Sequence, residues 1–359
     1  MKKLLTCLWV GVLCLHHTAW AGDLDLLGTH EQTIPTHPSN PDHATDTKDI
    51  TLLDYAISDQ LQSELYQQVQ RRLEQQPGEQ RRSLLAIAMP QKIQLGMDHV
   101  PVLDQGKHAS CVVFANTAAI DAALHKGNYI SQLCLLQLGY YLESNGGGKS
   151  GWQGLSSNEL LDRIETYGII SLRNQRQHGC GGLTSYPYST TPQTGMSPEV
   201  YGQYQEKIFS KEVAWTVLFR KSKQAFRIKD TAIVSKTKQA LNKGARVVVG
   251  ALLPRSDLGT MGAVGIHHVL DDTWVLTHEI AQELQSSHII SGHEMIITGF
   301  DDEASARDHA GHVHQGLFTL RNSWGWYAGD WGDFYMSYDY FNALVMHGVV
   351  ISDTSFALS

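Results

Sequence analysis

The order of apolar and polar positions divides the chain into a polar leader, an amphipathic segment and a long body. Residues 22 to about 49 are rich in Thr, His, Pro, Asp and Asn and show no periodicity, which predicts a flexible leader. From Ile50 to about Glu74 apolar residues recur at every fourth position, which predicts a helix with one apolar face that Gln75-Gln76-Pro77-Gly78 ends. We expect this face to pack against the body of the chain rather than against a partner or a membrane.

The body changes character along its length. Cys111 to about Lys126 is apolar nearly all round, which predicts a buried helix, and two more helices are predicted at Leu133 to Leu142 and Ser156 to Tyr167. The later part predicts strands at 246–252, 293–300, 316–320 and 334–338. Helices that precede strands in this way favour an α+β fold with two lobes.

Composition narrows the classes of function. The chain has 359 residues, with 28 basic and 36 acidic side chains and a formal charge of −8. A mildly acidic protein has no overall field that would hold a polyanion, so we expect no nucleic-acid partner. The length is enough for about two domains, or for one domain with processed segments.

The first 21 residues have the pattern of a secretory signal peptide. Lys2 and Lys3 precede an apolar run that is too short for a permanent membrane helix, and Ala19-Trp20-Ala21 offers small residues for cleavage. A buried strand or a membrane anchor is the alternative. Cleavage would export the chain to the periplasm or the extracellular space and leave no membrane attachment. It would also leave three cysteines, Cys111, Cys134 and Cys180, an odd number that predicts a free thiol.

Cys111 has the sequence context of a nucleophile. It follows a polar loop and begins the predicted buried helix, where unpaired N–H groups and the helix dipole favour a thiolate. The alternative is that Cys111 is only a small apolar side chain of the core. A cysteine nucleophile also needs a base and a third group that orients the base. His293, at the start of an apolar strand, and Asn322, just after another, are candidates for these two roles.

Taken together, these fragments resemble the papain-like cysteine peptidases over roughly residues 100–352. In that family a glutamine six residues before the nucleophile contributes to the oxyanion hole, and Gln105 stands at this position. Asn322-Ser323-Trp324-Gly325 is similar to the asparagine motif, in which Trp324 would shield the asparagine–histidine hydrogen bond. The resemblance implies a papain-like two-lobed α+β fold, with a helical left lobe, an antiparallel β-barrel-like right lobe and the active site in the cleft between them.

The resemblance also implies roles and boundaries. The peptidase domain would span 96–359, with a helical lobe at about 105–190 and a β-rich lobe at about 191–352. Cys111, His293, Asn322 and Gln105 would be catalytic, and neither a metal nor an organic cofactor would be required. Substrate would contact four further residues, Gly151, Gly154, Gly292 and Trp324.

Several positions depart from the family pattern. His108 stands where a second cysteine of the nucleophile motif is usual, and Val112 stands where an aromatic residue is usual. Cys134 and Cys180 either pair with each other or remain two free thiols. Extra residues at 189–230 and 254–290 would restrict the cleft, add a binding surface or lie inert on the surface. His309, His312 and His314 resemble a metal cluster, but a solvated loop is the preferred interpretation.

These features predict a monomeric exported endopeptidase made as a zymogen, with peptides or proteins as substrates. Residues 22–95 would be a propeptide with a short amphipathic helix, inhibiting the enzyme by an element shorter than the long helices common in the family. The absence of any Asn-x-Ser/Thr acceptor favours a bacterial source. An exopeptidase or amidase of the same fold, or an inactive relative used as a binding module, are the alternative functions.

Overall fold

The computed structural model describes residues 23–37, 47–74, 90–208, 212–221, 231–255, 263–265 and 270–354. The predicted signal peptide, residues 1–21, lies outside the described residues. No helix in the described ranges is long and apolar enough to cross a membrane.

Within the described residues, five successive helices lie between the strands Lys92–Gln94 and Val213–Arg220, and most of the strands follow them. The helices are α1 (Asp59–Leu73), α2 (Cys111–Leu124), α3 (Gln132–Ser144), α4 (Ser157–Tyr167), α5 (Leu172–His178), α6 (Pro198–Tyr201), α7 (Thr231–Asn242), α8 (His278–Ser286) and α9 (Tyr338–Leu344). The strands are β1 (Leu24–Pro35), β2 (Thr47–Ile57), β3 (Lys92–Gln94), β4 (Val213–Arg220), β5 (Arg246–Leu253), β6 (Ala263–Gly265), β7 (Leu270–Trp274), β8 (Ile289–Arg307), β9 (Val313–Arg321), β10 (Asp333–Ser337) and β11 (Val345–Asp353). The predicted α+β class is confirmed.

The N-terminal segment differs from its prediction. Instead of a flexible leader and one helix from residue 50, β1 and β2 form an antiparallel hairpin, and α1 begins only after Ser58, whose side chain accepts a hydrogen bond from the Leu61 N–H. Leu53 and Ile57 are four residues apart, an even number, so they share one face of a strand as readily as one face of a helix. The four-residue spacing of apolar residues therefore could not distinguish a strand from a helix in this segment.

The strand β8 organises the sheet. It pairs with β2, β3, β5, β6 and β9, and the main path of the sheet runs β4-β11-β5-β8-β6-β7-β10-β9. Among the described strands β4 pairs only with β11, and β1 only with β2, so the sheet is not closed. This corrects the barrel-like form predicted for the β-rich lobe, because the N-terminal hairpin and β4 extend the sheet instead of sealing it.

The buried apolar residues form two main clusters. One lies between the sheet and the helices α1, α7, α8 and α9, and includes Leu61, Leu65 and Val69 of the predicted apolar face. The other surrounds α2, whose residues are buried from Cys111 to Ala123, together with α3 and α4. The two long extra segments hold regular elements: α6 and β4 lie within 189–230, and β6, β7 and α8 lie within 254–290.

Cys134 and Cys180 form a disulfide that joins α3 to the loop just after α5, with a Cα–Cα distance of 5.0 Å. It closes a loop across a sequence separation of 46 residues. A loop of this size limits the unfolded chain, so we expect Cys180→Ser to lower the free energy of unfolding by about 2–4 kcal/mol. Urea unfolding of the oxidised protein and the variant measures this difference. Equal midpoints and slopes would contradict it.

Candidate active site

Cys111 begins the buried helix α2. The preceding Ser110 makes no side-chain capping hydrogen bond, and the Cys111 N–H belongs to the first turn, which has no partner within a helix. The thiol is the free one of the three cysteines in the described chain and is 1% exposed. The start of a helix thus places one sulfur and one N–H donor at the same point.

His293 and Asn322 are joined by a hydrogen bond. The two residues lie on β8 and directly after β9, and the distance between His293 Nε2 and Asn322 Oδ1 is 2.7 Å. Trp324 stacks on the imidazole with ring centroids 4.5 Å apart and an angle of 24°. Within the described chain, His293 Nδ1 is buried and makes no hydrogen bond. The asparagine therefore orients the ring and leaves its other nitrogen available for a proton.

Gln105 is buried between the loop before Cys111 and the loop that holds Asn322. Its Nε2 donates to the His108 carbonyl at 2.7 Å, and its Oε1 accepts from the Ser323 hydroxyl at 2.8 Å. The Gln105 N–H also donates to the Ser323 carbonyl at 2.9 Å. These bonds hold the amide in one orientation and use one of the two N–H groups of Nε2.

Burial holds the Cys111 thiol and the His293 imidazole in their neutral forms. Desolvation, with the nearby Glu294 charge as a smaller cause, raises the pKa of the Cys111 thiol to about 12. Desolvation lowers the pKa of His293 to about 4, although the Asn322 hydrogen bond and Glu294 act in the opposite direction. A covered site of this kind holds a thiol and a neutral imidazole at neutral pH rather than a thiolate and an imidazolium.

The hairpin strand β2 covers the site. Leu53 is paired with Gly292 in the sheet, and an added Cβ on Gly154 would lie 2.6 Å from the Leu53 side chain. The Tyr55 ring lies against Gly292, where an added Cβ would meet it at 2.6 Å. Gly154 and Gly292, two of the predicted substrate-binding residues, thus both contact β2.

A cavity of about 390 Å³ lies beside Cys111 and His293. Of the predicted site residues, Cys111, His293 and Gly292 line it. Absent from its lining are Gln105, Asn322, Gly151, Gly154 and Trp324. Gly151 instead packs among Val113, Leu136 and Leu155 in the core. The β1–β2 hairpin also contributes apolar side chains to the lining of this cavity, namely Leu24, Leu26, Leu53 and Tyr55.

Glu294 is the residue of this region that sequence reasoning missed. It is 3% exposed and accepts hydrogen bonds from Asn116 and Ser157. A single charged residue inside the apolar run that follows His293 was the available signal, because a charge in a buried strand requires partners. A different cluster, at Asp308, His312 and His314, is held by hydrogen bonds within its loop. No group of three or more His, Cys, Asp or Glu suited to a metal ion occurs in the described part of the chain.

Comparisons with known proteins give one family match and several similar solved structures. The model of the Peptidase C1-like family matches residues 236–356. Among solved structures, xylellain, a cysteine protease from Xylella fastidiosa, is 19% identical, with 75% of this chain and 88% of that chain covered and a TM-score of 0.46. The digestive procathepsin L 3 of Tenebrio molitor larval midgut is 16% identical, with 75% and 71% covered and a TM-score of 0.44. The bromelain protease from Ananas comosus in complex with the E64 inhibitor is 12% identical, with 74% and 99% covered and a TM-score of 0.43.

Curated proteins include none that matches the chain. The family match over the segment that holds His293 and Asn322 confirms the resemblance found in the motifs. The matched segment is about a third of the chain and holds neither Cys111 nor Gln105, and within it the chain is similar to the Peptidase C1-like family.

Proposed function

We propose that this protein is an exported cysteine endopeptidase made in a latent form, with Cys111 as nucleophile and His293 as base. The observation that carries the proposal is one cavity lined by a thiol at a helix N-terminus and by an imidazole that an asparagine orients. The signal-like pattern of residues 1–21 and the Cys134–Cys180 disulfide support export, because disulfides persist in oxidising compartments.

The roles of the residues follow from their contacts. Once the site is open to water, His293 Nδ1 takes the proton of Cys111, and the thiolate attacks the carbonyl carbon of a peptide bond. The Cys111 N–H and the Gln105 amide stabilise the negative oxygen that develops. The imidazolium then gives its proton to the leaving amine, and the C–N bond breaks. The neutral imidazole finally takes a proton from water, which attacks the thioester, releases the acid and restores the thiol.

Latency is supported by the place that the hairpin occupies. Residues 53–56 of β2 pair antiparallel with residues 289–292 of β8, immediately before His293. An extended peptide that adds to a sheet edge uses the same backbone groups. We infer that β2 holds the position of a substrate strand and that its side chains form one wall of the cavity beside Cys111. The inhibitor would be a strand, shorter than a long helical propeptide.

Ion pairs hold the hairpin against the body. Asp54 accepts from the Arg255 guanidinium and from Ser291, with Asp54 Oδ1 and the hydroxyl 3.3 Å apart. Lys107 Nζ lies 2.8 Å from Asp49, and Lys48 Nζ lies 2.5 Å from Asp104. These contacts distribute the attachment along β2, so release of the hairpin requires several bonds to break together or the connection to be cut.

A thiol-directed epoxide tests the enzyme against an inactive binding module. We expect E64 to add to the protein once per chain, on Cys111, because the thiolate is the reactive form and the other two described cysteines form a disulfide. Intact mass and peptide mapping after limited proteolysis of the full chain measure the addition. No labelling of the proteolysed protein, or equal labelling of unfolded and folded protein, would contradict the proposal.

A peptide-library cleavage profile then separates the endopeptidase from the exopeptidase alternative. Cleavage inside peptides blocked at both ends supports the endopeptidase. Cleavage that requires a free terminus would establish the exopeptidase instead.

A further inference from the structure

Glu294 follows the proposed base on β8 but faces the helical part of the molecule. Its Oε1 accepts from Asn116 Nδ2 at 2.8 Å, on α2, and from the Ser157 hydroxyl, in the first turn of α4. Its Oε2 lies 3.4 Å from His347 Nε2, on β11. One carboxylate therefore links four elements at the wall of the cavity, which Glu294, Ser157 and His347 all line.

The link reaches both proposed catalytic residues through short stretches of chain. Asn116 lies five residues after Cys111 on the same helix, and Glu294 is the neighbour of His293 on the same strand. Both stretches keep a fixed length and direction, because each belongs to a buried, regular element, α2 in one case and β8 in the other. A hydrogen bond from Asn116 to Glu294 thus sets how the start of α2 lies relative to the start of the base strand.

A buried carboxylate is costly unless its partners compensate for the lost water. The pKa of Glu294 is nonetheless lowered: burial raises it, and the close contact with His347, together with the hydrogen bonds from Ser157 and Asn116, more than offsets that effect. The group remains ionised inside the molecule. An uncharged side chain would fill the same space without this cost, so the charge calls for a role of its own.

The titratable groups that face Glu294 come from four elements. They are His293 on its own strand, Cys111 on α2, His347 on β11 and Tyr55 on β2. The negative charge of Glu294 acts to raise the pKa of Cys111, His293 and Tyr55, and in each case its effect is smaller than that of burial. Burial also raises the pKa of Cys111 and Tyr55, whereas it lowers the pKa of His293. When the hairpin departs, Tyr55 leaves this set and the other groups remain.

We propose that Glu294 is a positioning residue of the peptidase, whose buried carboxylate ties the strand of the base to the helix of the nucleophile through Asn116 and Ser157. The proposal rests on the proposed function of Cys111 and His293. Because the carboxylate is charged, it also acts on both members of the pair, which a merely packed side chain would not do.

Glu294→Gln removes the charge and keeps an acceptor for Asn116 and Ser157. Without the charge the pKa of the thiol and that of the imidazolium both fall, so both the acid and the alkaline limb of kcat/KM against pH move to lower pH, by roughly half a unit or more. We expect kcat at the new optimum to fall less than about tenfold. The measurement uses the full chain activated by limited proteolysis and a fluorogenic peptide.

Glu294→Ala removes the tie as well as the charge. We expect kcat to fall by about tenfold or more and KM to change less than kcat, because the reacting groups lose their mutual geometry while only one side chain of the cavity wall is shortened. Asn116→Ala breaks the tie and keeps the charge, so it lowers kcat while the pH limbs stay in place. Glu279→Gln, on the exposed side of α8, is the matched control and leaves kcat, KM and the pH limbs unchanged.

Epoxide titration counts the competent sites in each sample, so kcat refers to folded enzyme. Unshifted pH limbs in Glu294→Gln would overturn the proposal, as would a loss in Glu294→Ala that the site count fully explains. If Glu294→Ala does not fold, Glu294→Gln and Asn116→Ala carry the same test. A failure of the proposed function would look different, because the unchanged sequence itself would then show neither hydrolysis nor labelling.

Discussion

Replacing Cys111 with alanine is expected to abolish peptide hydrolysis. The proposed mechanism forms a covalent thioester, and no other described cysteine is free to take the place of the sulfur. Loss of the nucleophile in a covalent peptidase typically lowers kcat by a factor of about 10⁶, which leaves only background hydrolysis. A fluorogenic peptide assay of the protein activated by limited proteolysis measures the change.

Asn322→Ala serves as the companion variant for this experiment. It keeps the nucleophile and loses only the hydrogen bond that orients His293, so a reduced but measurable rate is expected. Near-equal activities of Cys111→Ala and the unchanged sequence would exclude Cys111 as the nucleophile. The two variants must also show the same melting temperature as the unchanged sequence within a few degrees, since Cys111 is in the core.

Opening the hairpin is expected to give the second largest change, an increase. Leu53→Asp places a charge where an apolar side chain packs against Gly154 and the cavity, at a site that is 3% exposed. Burial of a leucine contributes about 1.5–3 kcal/mol, and a buried charge adds a further cost, so the open form of the site gains at least about tenfold in population. The rate of epoxide labelling of the full, uncut chain should rise by the same factor.

Leu27→Asp is the matched control for this experiment. Leu27 lies on β1 of the same hairpin but is 57% exposed, so the same substitution should leave the labelling rate unchanged. Equal rates in Leu53→Asp and the unchanged sequence, with both proteins folded, would show that β2 does not restrict access to Cys111. Equal increases in both variants would show a general loosening of the hairpin instead.

Much of the site could be predicted from local sequence. The cysteine at the start of an apolar helix, the histidine at the head of an apolar run and the Asn322-Ser323-Trp324 motif each carry their own signal, since each depends on residues close in sequence. The structure places His293 and Asn322 in hydrogen-bond contact and Trp324 on the imidazole. It also brings Gln105 against Ser323. Gly151 was predicted to contact substrate but packs in the core instead, because side chains of α2 and α3 surround it.

The N-terminal segment could not be predicted in the same way. β1 contains few apolar residues, and its strand exists because β2 provides backbone partners along its whole length. The short apolar run of β2 has spacings that suit a helix and a strand alike. The choice between them depends on β8, an element more than 230 residues further along the chain, which accepts β2 at residues 289–292.

The sequence by itself therefore indicated a resemblance to a peptidase family, the α+β class and the residues proposed to react, because each depends on patterns of residues close together in the chain. Only the tertiary structure decided that the N-terminal hairpin covers the thiol, that the sheet stays open and that Glu294 joins the two halves of the site. These features depend on contacts between segments far apart in sequence. Their energy comes from burial and hydrogen bonding that no local pattern records.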